Sequence, residues 1–400
     1  MIASVLIGLL VMVVWTLLAG RLTRWRITGP LLMVAAGVAI GFTTTDEIGR
    51  TLNTVVAERI VELILALLLF VDAMEVKGGY FGGERGPVLR LLLIGLPLSI
   101  LAAVGVGAVL LPGISLAVIL VIACIVIPTD FAPAAAIVRD ERIPGRVRHL
   151  LNVESGYNDG IIAPVFIFAL ALAGDNQHDT PLDALGAALP AAGYAVVIGA
   201  PIGLATAWLT GKCTAAGLTT PASIRMSLVL IPLLSYSVAL SVEGNGFVAA
   251  FICGLAYRAA RSTPPSEPEL SLVDDVSILT SLAMWFVFGS AVVMLGSMGL
   301  DWRLIVFALA ALTVLRMVPV YLSLIGTDFA RRDRVMIGLL GPRGTASIVF
   351  GLLAYNALDD APGDQTLYAM AAVVIGSVVI HGAGSGWAAE HYPRSRQTSG

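Results

Sequence analysis

The sequence has little charge and none of the signatures that would bind a polyanion or a phosphate. Only 13% of its 400 residues are Asp, Glu, Lys or Arg, against about 25% in soluble domains. The net charge of −3 is small, and no basic stripe is interleaved with aromatics, so a nucleic-acid partner is excluded. No glycine-rich loop ends in Lys-Ser or Lys-Thr, which removes ATP as the expected energy source, and His-Glu-x-x-His is absent as well. The three cysteines, Cys124, Cys213 and Cys253, cannot all pair and lack zinc or redox spacing, so they read as small packing residues. No Lys or Arg precedes Arg21, where a secretory signal would carry its charge; residues 3–19 therefore read as a retained first span.

What is abundant is apolar side chain, at 58% of residues. Runs of roughly 20 apolar residues, the length a bilayer demands of a helix, recur from end to end. The chain reads as an all-α polytopic membrane protein. Thirteen spans are expected near 3–19, 29–43, 55–75, 88–111, 114–138, 148–173, 183–209, 223–241, 245–260, 273–297, 302–325, 334–356 and 366–387. With the N-terminus outside, 19 Lys and Arg fall in cytoplasmic segments and only Arg50, Arg59 and Arg303 in outer ones. That bias predicts an N-out, C-in topology. The outer loops are acidic instead, with Asp175, Asp179 and Asp183 in one and Asp359, Asp360 and Asp364 in another.

Two basic residues, Arg316 and Arg343, fit neither side because they fall inside apolar spans. An ionisable residue at such depth costs several kcal/mol unless it faces a cavity or a partner, so it marks function. The others of this kind are Glu62, Asp72, Asp130, Glu154 and Asp159.

Three patches collect most of them. In Ile127-Pro128-Thr129-Asp130-Phe131-Ala132-Pro133, two prolines five apart break the helix. Transporters aim such broken helix ends at substrates and ions, although Asp130 could equally cap the second half of its own span. In Glu154-Ser155-Gly156-Tyr157-Asn158-Asp159-Gly160, Ser155 and Asp159 share a helix face and Glu154 and Asn158 the adjoining edge. Asp159 lies roughly 16 Å into its span, near the midplane. Gly341-Pro342-Arg343-Gly344-Thr345 interrupts a second span late in the chain, as an inverted repeat with two crossing discontinuous helices would. Arg343 could hold that break by donating to carbonyls or serve as a fixed counter-charge. Ser385 has His381 one turn earlier, but no third group orients the histidine, so a serine nucleophile and an enzymatic role are not expected.

Together these patches resemble the NhaP-type branch of the monovalent cation:proton antiporters, along essentially the whole chain. The Glu-Ser-Gly-x-Asn-Asp-Gly string carries the resemblance most specifically, with Thr129-Asp130, Arg316 and Gly-Pro-Arg343-Gly in support. The resemblance implies that Asp159 carries the ion and the proton. Thr129 (through its carbonyl), Asp130 and Ser155 would complete a Na+ or Li+ shell, and Asn158 would mark an electroneutral exchanger. Glu154 and Arg316 would form a buried ion pair. It also implies a homodimer in the cytoplasmic membrane with an interface domain and a moving core, needing lipid but no cofactor. Relatives often carry a carboxylate in Leu-Phe-Glu-Gly-Gly; here the run is Leu69-Phe70-Val71-Asp72-Ala73, with the acid one residue later, which leaves open whether Asp72 reaches the site.

The resulting organisation is a single membrane unit. Residues 1–112 hold the first span and the start of the first repeat, 113–175 the ion-site helices, and 183–260 linking and interface spans. The second repeat follows over 273–389, and 390–400 form a short cytoplasmic tail without a regulatory domain. Sodium/proton exchange is the expected function. Potassium/proton exchange uses the same oxygen chemistry; a cation channel or a sodium-coupled symporter would belong to other classes.

Overall fold

The computed structural model describes residues 2–25, 27–52, 54–75, 83–131, 142–174, 181–261, 265–298, 301–358 and 360–390. Of these, 2–3, 44–52, 75, 294, 296–298, 360 and 382–390 are described by backbone alone. All regular structure among the described residues is helical. In chain order the helices are α1 (Ile2–Arg24), α2 (Gly29–Leu52), α3 (Val55–Glu75), α4 (Arg85–Leu110), α5 (Leu116–Val126), α6 (Gly145–Ala173) and α7 (Pro181–Ala215). They continue as α8 (Pro221–Ser241), α9 (Gly246–Ala260), α10 (Glu267–Met298), α11 (Trp302–Ser323), α12 (Arg331–Leu339), α13 (Thr345–Ala357) and α14 (Asp360–Glu390).

Eight helices among the described residues are long and apolar enough to cross a membrane, and four shorter apolar ones join them. The chain is an integral, multi-pass membrane protein. The apolar part of α2, Gly29–Thr43, coincides with the expected span, and the helix then continues to Leu52. Helix α3 falls short of the apolar criterion because it carries Glu58, Arg59, Glu62 and Asp72.

Four helices are irregular, for different reasons. In α4 a π-turn at Leu91–Gly95 directly precedes Pro97, whose missing amide leaves the preceding turn one hydrogen bond short. The expected span 114–138 is helical only to Val126; Ile127–Phe131 leave the helix, and residues 132–138 lie outside the described residues. The expected span 334–356 is two short helices, α12 and α13, joined by non-helical Leu340–Gly344. Helix α11 is interrupted at Thr313 (φ −123°, ψ −94°), a break no proline or glycine announces.

The helices pack in two groups. Helices α1–α3 and α7–α10 contact chiefly one another, through α2 on α10, α7 on α9, and α3 on α8, α9 and α10. Helices α4–α6 and α11–α14 form the other group, through α4 on α5 and α11, α5 on α6 and α14, and α13 on α14. The α2–α10 contact is a backbone-to-backbone approach. A Cβ on Gly37 would strike the Phe286 carbonyl, one on Gly289 would strike that of Val34, and the Ser290 hydroxyl donates to the Gly37 carbonyl at 3.1 Å. The groups meet where α3, α9 and α10 touch α6 and α13. At that seam Tyr157 packs edge-on to Phe251, centroids 6.1 Å apart, and the Trp285 indole donates to the Thr345 hydroxyl at 3.3 Å.

Candidate functional site

The two non-helical segments, Ile127–Phe131 and Leu340–Gly344, cross, and each satisfies what the other exposes. The Asp130 amide donates to the Pro342 carbonyl at 2.9 Å. The Asp130 carboxylate accepts from the Thr345 amide at 2.7 Å, so it caps the first turn of α13. A negative group there complements the positive end of the helix dipole. The second half of its own span, which the sequence offers Asp130 as a helix to cap, lies outside the described residues; the crossing gives Asp130 a place on the other broken span.

Arg343 does the converse. Fully buried, it donates from Nε to the carbonyl of Val126, the last residue of α5, at 2.6 Å. Its other nitrogens reach the carbonyls of Ala311, at 3.3 Å, and Gly341. A cation at the carbonyl end of α5 complements the negative end of that dipole. Of the two roles the sequence left open for Arg343, the geometry shows carbonyl donation. Ser347 adds a bond to the Ile125 carbonyl at 2.8 Å.

Helix α6 lies across the first break and places its polar face on Thr129. The Ser155 hydroxyl donates to the Thr129 carbonyl at 3.1 Å. Asn158 Nδ2 donates to the same carbonyl and to the Thr129 hydroxyl, both at 2.9 Å. Thr129 is wholly buried, as are Asn158 and Asp159, while Ser155 and Asp130 retain some exposure. Two side-chain oxygens here, Oδ1 of Asp159 and Oδ1 of Asn158, are buried without a hydrogen-bond partner. Such groups are rare in folded proteins because stranding them is costly. Hydroxyl and amide side chains meet the Thr129 carbonyl on the turn that carries the Asp159 carboxylate, with acceptor capacity to spare, and that set of oxygens suits a hard monovalent cation or a proton.

Glu154 and Arg316 form the expected pair, in a two-pronged geometry with Nη1 to Oε1 at 2.7 Å and Nη2 to Oε2 at 3.0 Å. Both side chains are about as buried as a side chain can be, 4% and 3% exposed. Nη2 also reaches the carbonyls of Ile337 and Leu340, each at 3.3 Å. Arg316 thereby ties α6 and α11 to the end of α12, just ahead of the second break.

The remaining sequence candidates sit elsewhere. Asp72 is half-buried on α3, a helix that packs on α6. Glu62 accepts from Arg59 at 2.6 Å and from the Tyr236 hydroxyl at 2.7 Å, a polar contact between α3 and α8. Arg258, assigned to a cytoplasmic flank, is 8% exposed within α9. The Ser385 side chain lies outside the described residues. Sequence reasoning did not single out Ser377 or assign His381 a place: both are buried on α14 and bond to the second break. The available signal was two polar residues four apart, one helix turn, in an otherwise apolar last span.

The sequence profile of a known family, the transmembrane sodium/hydrogen exchangers, matches residues 8–391. The chain belongs to that family. Among its relatives, a Na+/H+ antiporter of Schizosaccharomyces pombe is 24% identical over 357 residues, 81% of this chain and 75% of its own length. The K+/H+ antiporter NhaP2 of Shewanella sp. (strain MR-4) is 25% identical over 393 residues, 94% of this chain. This family member spans only 65% of that relative's length. The solved structure of the sodium proton antiporter MjNhaP1 from Methanocaldococcus jannaschii superposes with a TM-score of 0.77, at 20% identity, over 98% of this chain and 99% of that one. The exchanger fold is thus shared over the whole length.

Proposed function

We propose that this protein is a secondary antiporter that exchanges Na+ or Li+ for H+, one for one, across the cytoplasmic membrane. The observation that carries the reading is the buried, partnerless Asp159 oxygen on the same stretch of α6 whose Ser155 and Asn158 side chains hold the Thr129 carbonyl. Asp159 holds either ion. Thr129, Ser155 and one oxygen of Asp130 complete the cation's surroundings, and Asn158 sets the Thr129 carbonyl. No cofactor and no bond-making step is needed.

Coupling follows from charge. With sodium or a proton aboard, the Asp159 centre is neutral; empty, it is an anion. Carrying the bare charge past an apolar seam costs several kcal/mol, on the order of a thousandfold in rate. Only loaded centres cross. Asn158 does not titrate, so a single charge is traded for a single charge. The group of α4–α6 and α11–α14 is the moving part, and the glycine-tied group of α1–α3 and α7–α10 is the scaffold. The basic-residue bias supports thirteen crossings with the N-terminus outside. A homodimer forms through the 183–260 region, where α7 turns apolar residues such as Leu189, Val197 and Leu204 outward.

Reconstituted vesicles containing a pH-sensitive dye test the proposal. Sodium and lithium should each drive proton movement with no accompanying current. Flux with potassium alone would favour the K+/H+ reading, which the Shewanella relative's name keeps in view and which uses the same oxygens. Current following sodium addition would refute one-for-one exchange, and conduction far above carrier rates would indicate a channel.

A further inference from the structure

A break inside a buried helix leaves backbone amides and carbonyls that must find partners elsewhere. For the segment between α12 and α13, two side chains of the last span supply them. The Ser377 hydroxyl accepts from the Arg343 amide at 2.7 Å and lies 3.4 Å from the Arg343 carbonyl. His381, one helix turn further on, places Nε2 at 3.4 Å from the Gly341 amide and 3.2 Å from the Leu339 carbonyl. Its Nδ1 faces the Ser377 carbonyl at 3.2 Å. Ser377 is 1% exposed and His381 4%.

Each ring nitrogen faces a carbonyl at 3.2 Å, Nδ1 that of Ser377 and Nε2 that of Leu339, and Nε2 also faces the Gly341 amide, so the ring bridges α14 to the backbone at the start of the break.

The clamp leads directly to the ion-site residues. Arg343, held at its amide by Ser377, donates to the end of α5. Pro342, between the two clamped amides of Gly341 and Arg343, offers its carbonyl to the Asp130 amide at 2.9 Å. Asp130 follows Thr129, whose carbonyl collects the Ser155 and Asn158 donors. We infer that Ser377 and His381 are positioning residues of the transport site. They fix the second break so that the Thr129 carbonyl and the Asp130 carboxylate stand where the cation needs them. This inference rests on the proposed exchange at Asp159 and assigns the last span a part in cation affinity.

The test uses the full-length protein in vesicles, with sodium-driven proton flux measured against sodium concentration and pH. Ser377→Ala removes one oxygen and His381→Ala both ring nitrogens. Each should raise half-saturating sodium about tenfold while changing the maximal rate less than twofold. His381→Gln supplies an amide with both an N–H donor and an oxygen acceptor toward the Leu339 carbonyl and the Gly341 amide, so it should restore half-saturation to within about threefold of the parent. Unchanged half-saturation in both alanine variants, with only a lower melting temperature, would reduce the clamp to a structural role and overturn the inference. His381→Gln behaving like His381→Ala would also overturn it. In the same assay, absence of sodium-driven flux in the parent protein would strike the exchange reading itself, which separates the two failures.

Discussion

Removing either member of the Glu154–Arg316 pair should unfold the protein more readily, and by unequal amounts. The pair is two-pronged and almost completely buried, so deleting one side strands a charge, at about 3–5 kcal/mol. The structure ranks the two deletions. Arg316→Met leaves the Glu154 carboxylate bare and also orphans the carbonyls of Ile337 and Leu340, so it should reach the upper end of that range. Glu154→Gln keeps one oxygen facing the guanidinium, and Arg316 keeps its two carbonyls, so roughly 2 kcal/mol is expected. With both replaced, no buried charge remains unpaired, and the double variant should lose less than the sum of the singles by roughly 2 kcal/mol. Gly341→Ala attacks the same fork from the opposite side, because a Cβ there would collide with Nε and Cδ of Arg316. Thermal melts of the purified protein, followed by loss of monodisperse material, would read all four. Additive losses in the double variant, or a smaller loss for Arg316→Met than for Glu154→Gln, would refute the reasoning.

The Asp130 cap gives a second test. Asp130→Asn keeps an acceptor for the Thr345 amide but loses the charge at the α13 end, whereas Asp130→Ala loses both. Sodium-driven flux should fall more than about tenfold in the alanine variant and less in the asparagine one; equal losses would show that the hydrogen bond is irrelevant. Glu84 lies ahead of α4, and its bond with the Arg146 guanidinium holds its carboxyl below the usual range. A carboxyl depressed on folding contributes stability above its unfolded value and loses it as pH falls through the folded one. Arg146 is half exposed, so the effect should stay below about 1 kcal/mol. The melting gap between the parent and Glu84→Gln should close in acid, and a gap that widened there would contradict the assignment.

The polar patches were legible in the sequence because a bilayer makes every buried charge conspicuous. Thr129, Ser155, Asn158 and Asp159 stand out against apolar neighbours, and the structure brings the first three into direct contact on the turn that carries Asp159. The prolines of the two broken spans were equally plain. What could not be read was the partner of each broken end. Sequence shows only local neighbours, and so offers Asp130 as a cap for its own span; the bond from the Thr345 amide comes from 215 residues away. The break at Thr313 has no Gly or Pro to announce it. It lies two residues past Ala311, whose carbonyl accepts from Arg343, and the Thr313 hydroxyl bonds back to the Leu309 carbonyl at 2.7 Å, a local bond that can bend a helix. Ser377 is not singled out by the sequence, and His381 is weighed only beside Ser385, for the same reason: the partners they find are backbone groups of the second break, which have no sequence signature.

The most direct measurement is sodium-driven proton flux in vesicles containing Asp159→Asn. An asparagine keeps the size and one oxygen of the side chain but can neither release a proton nor neutralise a cation. Flux should vanish while the protein remains folded and monodisperse at the parent's melting temperature or above. Exchange continuing at a rate comparable to the parent would show that the two ions do not share that carboxylate.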